Sequence, residues 1–241
     1  MTLVAAFRRK NGGLILCADR EENDGTSKRE VDKIYQIKLE NNRALSANVF
    51  LAGSGPSSVI TRAFSDVETE LLSAIGKGTD IEKEHRSLIE TVLRRLHRDY
   101  KLNLKDSYLD MLVIYAPFPQ SPGRAPVLYR TEYATLVPVS FYAALGSGKS
   151  FCDYFTDRMY DEGFLDDNAL ITLTTFIFRE AENYLHGIGF GTDVYMIGGD
   201  FIWRRIGKDL VKEFADKIPS LLDMLRENWK RTVSASDWID K

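Results

Sequence analysis

The hydrophobic period of the chain switches repeatedly between the two of a strand and the 3.6 of a helix, and this alternation limits the fold more than any other feature. β-rich runs cover residues 3–9 and 14–18, joined by Lys10-Asn11-Gly12-Gly13, whose Asn-Gly pair favours the positive φ angles of a tight hairpin. A second pair of runs, 31–37 and 45–52, follows. Beyond Gly53-Ser54-Gly55-Pro56 the period becomes helical, with Val59, Ala63, Phe64, Val67 and Leu71 on one stripe and Pro56 suited to a first turn. A second helix runs to Tyr100, with Thr79 or Asp80 placed to cap it. The order then repeats. Short strands at 109–116, 127–131, 134–139 and 141–145 lead to a helix opening at Gly146, a helix over 169–185 capped by Asp166 or Asp167, and strands at 193–197 and 201–206. An amphipathic helix from about 208 closes the chain, and Pro219 is expected to kink or divide it. Strand groups and paired helices in this order predict an α+β layered architecture with helices outside, as a single domain over 1–241 with a C-terminal helical extension.

Composition narrows the partners. The 32 basic and 35 acidic side chains leave a formal charge of −3 and are interspersed, so neither a nucleic-acid nor a membrane-surface partner is expected. The longest apolar runs fall far short of the roughly 20 residues that span a bilayer, and the N-terminus lacks the basic region of a signal peptide. Cys17 and Cys152 are the only cysteines, each in an apolar segment. Buried thiols in a reducing, cytoplasmic compartment are expected, with no disulfide framework, no metal site and no cofactor.

Two segments share a local design, each running from a strand through Gly-Ser-Gly into a helix: Phe50 to Gly55 and Ala143 to Gly148. Such turns expose backbone N–H groups at the positive end of a helix, which suits an anion or a developing oxyanion. Glycine there equally serves tight packing of strand against helix. The second turn continues into Lys149-Ser150, as a phosphate-binding loop would, but that motif needs glycine where Ala143 stands. Nucleotide hydrolysis is therefore disfavoured, and Lys149 reads as a solvated first-turn residue.

Taken in order, Thr2-Leu-Val-Ala5, Leu14-Ile-Leu-Cys-Ala-Asp-Arg20, Val31-Asp-Lys-Ile-Tyr-Gln-Ile37, Leu51-Ala-Gly-Ser-Gly55, Ala143-Ala-Leu-Gly-Ser-Gly148 and Thr192-Asp-Val-Tyr-Met-Ile197 resemble the signatures of a known family. It comprises the β subunits of the proteasome and its bacterial relatives, within the N-terminal-nucleophile (Ntn) hydrolases. The resemblance spans about residues 2 to 206. It implies a four-layer αββα sandwich, a threonine-type hydrolase acting on peptide or other amide bonds, no cofactor, and a homo-oligomer.

Carried over residue by residue, the resemblance makes Thr2 the nucleophile, with Asp19 orienting the N-terminal group and Lys33 lowering the hydroxyl's pKa. Gly53 would donate an oxyanion N–H, and Ser147 would bond near the α-amine. An N-terminal threonine carries its own base, because a free α-amine has a pKa of about 7.7–8.0. Removal of Met1 by an aminopeptidase would expose it. Two alignments of Val4 remain open, one setting Thr2 and the other Met1 at the nucleophile position. Asn183 and His186 precede Gly187 where active members carry an Asp and a Ser. The alternative reading is a catalytically silent proteasome-like scaffold or assembly subunit.

Overall fold

A computed structural model describes residues 2–23, 27–41, 44–100, 109–118, 125–160, 165–198 and 203–234, with five helices and three sheets among them. The first sheet contains β1 (Val4–Arg8) and β2 (Leu14–Asp19), with β10 (Tyr142–Leu145), β11 (Thr192–Ile197) and β12 (Trp203–Arg205), in the order β10-β1-β2-β11-β12. The second runs β5 (Ile34–Asn41), β6 (Ala44–Ser54), β7 (Asp110–Pro117), β8 (Val127–Glu132) and β9 (Thr135–Val139) in sequence order. Every pairing is antiparallel.

Apolar residues on both faces of the central strands explain their unbroken hydrophobic runs. On β6 and β7, Val49, Leu51, Met111 and Val113 join a core with Val67, Leu71, Ile89 and Leu93 of helices α1 (Ser57–Gly76) and α2 (Ile81–Tyr100). On β1 and β2, Ala5, Phe7, Ile15 and Cys17 pack with residues of α3 (Lys149–Met159) and α4 (Asp167–Tyr184), including Cys152 and Ile177. The alternate residues of all four strands, among them Val4, Leu16, Phe50 and Ile114, form a third core shared by the two sheets.

The hairpin after β1 closes with Arg9 N–H on the Gly13 carbonyl at 2.8 Å. Only Gly12 of its Asn-Gly pair takes a positive φ (+81°), because the Asn11 side chain instead accepts from Gly13 N–H at 3.0 Å. Pro56 sits one residue before α1, at its N-cap. Asp166 caps α4 by accepting from Ala169 N–H at 2.8 Å. β5 begins at Ile34, so Lys33 lies just ahead of the ladder where a strand from 31 is expected. Residues 119–124, within the Pro-rich stretch 117–126 that reads as a hairpin connection, and 199–202, around the start of the last expected strand, lie outside the described residues.

Helix α5 (Lys208–Ser234) runs through Pro219 as one element rather than dividing. Proline has no N–H to give the carbonyl four residues back, and that carbonyl, on Ala215, accepts from the Arg179 guanidinium of α4. The exchange joins the two helices, while Val211 is buried in the same core as Ile177. Among the described residues no helix is long and apolar enough to cross a membrane.

Candidate functional site

Antiparallel pairing brings one end of each strand group to a common edge. Val4 stands opposite both Ala18 and Leu145, and Thr192 opposite Asp19, so Thr2, Asp19 and Ser147 meet at the same end of the first sheet. On the second sheet the start of β5, the end of β6 and the start of β7 share that edge. The β5–β6 register, continued by one residue, sets Lys33 opposite Gly53.

Asp19 is the hub. Its carboxylate is almost fully buried; Oδ1 accepts from Leu3 N–H at 2.7 Å, and Oδ2 accepts from Glu21 N–H at 3.1 Å and from Lys33 Nζ at 2.8 Å. A buried lysine needs such a partner, and Lys33 is only 10% exposed. Its Nζ also stands 3.4 Å from Thr2 Oγ1. Burial raises the Asp19 pKa above the ordinary carboxylate range, against the lowering influence of the Lys33 charge and hydrogen bond and of the two backbone donors. The Thr2 nitrogen donates to Ser147 Oγ at 3.3 Å. With Met1 attached it is a peptide nitrogen.

A ring of ion pairs stands behind this arrangement. Arg20 pairs with Asp193 at 2.6 Å, Glu30 at 2.8 Å and Asp32 at 3.1 Å, and Arg205 bridges Asp193 and Asp32. It clamps the residues flanking Asp19 and Lys33. Sequence reasoning missed it, although Arg20 follows Asp19 and Asp32 precedes Lys33, because the partners lie on distant strands.

The second Gly-Ser-Gly turn wraps the Thr2 backbone. Gly146 has φ +88°, and a Cβ there would fall 2.1 Å from the Thr2 carbonyl oxygen. A Cβ on Gly148 would meet Ile188 at 2.8 Å and Leu3 at 3.0 Å. Close packing thus requires both glycines. Gly146→Ala should lower the thermal midpoint sharply, since the left-handed φ alone costs a β-carbon residue about 1–3 kcal/mol and the clash is with backbone; an unchanged midpoint by circular dichroism would contradict this geometry. Gly53 lies in β6, where a Cβ would meet Ile60 at 3.4 Å. Lys149 is the exposed first residue of α3, paired with Asp153.

Other nucleophiles and bases are less suited. Burial pushes the Cys152 thiol up to about 12 and raises the Cys17 thiol well above its ordinary value. His85 is a core residue, stacked on Tyr115 with ring centroids 3.9 Å apart and bonded to Tyr129. Among the described residues none of the three histidines forms an ion pair with a carboxylate. Asn183 donates within its own helix to Glu180 at 3.5 Å, and both Asn183 and His186 are exposed.

No protein family matches the chain's sequence, and no curated protein matches it. Solved structures share its fold, which is proteasome-related. Anbu, described as an ancestral beta-subunit, from Yersinia bercovieri superposes with a TM-score of 0.75 at 14% identity over 93% of this chain and 96% of its own. A Gly-1 mutant of Anbu from Hyphomicrobium sp. strain MC1 gives 0.74 at 15% identity over 100% of each chain. A helical assembly of the Anbu complex from Pseudomonas aeruginosa gives 0.70 at 16% identity over 93% and 96%. At such identities the likeness establishes the fold alone.

Proposed function

We propose that the chain is a threonine-type Ntn amidohydrolase with a proteasome-like four-layer αββα fold, acting on peptide or other amide bonds. The observation that carries this reading is the Lys33 ammonium, held by buried Asp19 and standing within 3.4 Å of the Thr2 hydroxyl. After loss of Met1 the α-amine takes the hydroxyl proton, Thr2 Oγ1 attacks the carbonyl, and Gly53 N–H stabilises the oxyanion. The amine then protonates the leaving group, and water releases the acyl group from Thr2. The four layers are supported by the three cores, one shared by the sheets and one beneath each set of helices. The test is intact mass together with turnover of fluorogenic peptides: protein lacking Met1 should cleave them, and protein retaining it should not.

One observation favours a second reading, a silent assembly subunit: Asn183 and His186 are exposed and, among the described residues, form no hydrogen bond or ion pair with Thr2. Inactivity of protein shown to lack Met1 would support it.

Self-association belongs to both readings. Tyr154, Tyr184 and Phe141 are more than half exposed, and the first two touch Phe155 and Phe151, so α3 and α4 present an aromatic face of the kind that marks interfaces. Light scattering at micromolar concentration should give a multiple of 27.4 kDa, and Tyr154→Asp with Tyr184→Asp should lower it. A monomeric wild-type mass would refute the assembly.

A further inference from the structure

A cleft of about 440 Å³ opens beside Ser147, walled by Gly146, Asp110, Arg130, Glu132 and Lys149. It adjoins the Thr2 site on two sides. Ser147 Oγ accepts from the Thr2 nitrogen, and a Cβ on Gly53 would lie 3.5 Å from the Asp110 carbonyl oxygen. Register pairs Asp110 with Ser54, and alternation along β7 gives it the face of Leu112 and Ile114, which look toward the first sheet.

The two acids and two bases of this wall are not all paired. Arg130 is held by Glu132 at 2.5 Å, and Lys149 is held by Asp153. Among the described residues the half-buried Asp110 carboxylate has no hydrogen bond and no ion pair. Burial raises its pKa, with His97 the only charge acting in the opposite direction. A carboxylate partly withdrawn from water and left without an ion-pair or hydrogen-bond partner is a site for a cation, whose arrival offsets the desolvation already incurred. An anionic ligand would meet this same carboxylate, while both basic groups already have partners.

We propose that this cleft receives the side chain of a substrate lysine or arginine close to the scissile bond, with Asp110 as the specificity-determining counter-charge. The peptide as ligand rests on the hydrolase reading above, but the selectivity is measurable without turnover. Fluorescence anisotropy with Thr2→Ala protein, lacking Met1, would compare labelled peptides that carry lysine, norleucine or glutamate at each position in turn. At one position lysine should bind about tenfold more tightly than norleucine, the size of effect one desolvated charge pair supplies. Asp110→Asn should remove that preference. Asp110→Lys should turn it toward glutamate, a reversal that misfolding does not produce. The proposal is overturned if no peptide binds, if lysine has no advantage at any position, or if Asp110→Asn keeps the preference. Asp110-dependent binding in a protein whose wild type cleaves nothing would leave the cleft standing and remove the hydrolase; cleavage indifferent to lysine would do the opposite.

Discussion

Thr2→Ala should lower peptide turnover at least about a thousandfold, as loss of a nucleophile does in other acyl-transfer enzymes, while leaving the fold intact. The two effects separate because of where the hydroxyl lies. Thr2 is only partly buried and precedes β1, outside the sheet ladder, and Lys33 Nζ reaches its hydroxyl at 3.4 Å. The backbone contacts that seat it, from Gly148 N–H to its carbonyl and from its nitrogen to Ser147, survive the substitution. A stability change within about 0.5 kcal/mol by chemical denaturation is expected. Thr2→Ser keeps a hydroxyl and should keep part of the activity. Wild-type turnover in Thr2→Ala would remove Thr2 from the chemistry and, with no activated cysteine and no histidine–carboxylate pair among the described residues, favour the silent subunit.

Much of this molecule is legible in its sequence because apolar periodicity carries it. The runs at 14–18 and 109–116 read as strands because both faces are buried, and the stripe from Val59 to Leu71 reads as a helix because one face is. The small sheet of β3 (Glu21–Asn23) and β4 (Lys28–Glu30) is invisible to that signal. Its cross-strand ties are ion pairs, Glu21 with Lys28 and Glu22 with Arg29, and charged residues in sequence read as loop. Helix α5 departs the other way: Pro219 leads the sequence to be read as kinked or divided there, yet the helix is one element, and a guanidinium from α4 makes up for the missing donor. At the site, Thr2, Asp19, Lys33 and Ser147 come together through antiparallel register, which a family resemblance can suggest and periodicity alone cannot. Asp110 is a further limit of the same kind. Within the run at 109–116 it reads only as part of a strand, and its lack of an ion-pair partner appears only once β10 and β8 are brought beside it.

Lys33→Met should both silence the site and destabilise the fold, and the two losses have different remedies. Removing the ammonium leaves Asp19 buried with only the Leu3 and Glu21 N–H groups, and breaking a buried ion pair in this way costs about 3–5 kcal/mol. The same change takes away the charge and hydrogen bond that hold the Asp19 pKa down, so the carboxyl stays protonated to still higher pH. In the wild type that pKa already lies above its unfolded value. The native state therefore binds the extra proton: stability from this group is fully present below the unfolded pKa and is lost as pH rises through the folded one. Activity moves oppositely, since Asp19 must be ionised to hold the ammonium. Turnover should fall as pH drops through a window above the ordinary carboxylate range, reversibly and without unfolding. Lys33→Met with Asp19→Asn should recover most of the lost stability, because no carboxylate is left stranded, yet recover no activity. Recovery of turnover in the double variant would mean that the Lys33 charge plays no part beside Thr2, and the chemistry would then have to rest on the α-amine alone.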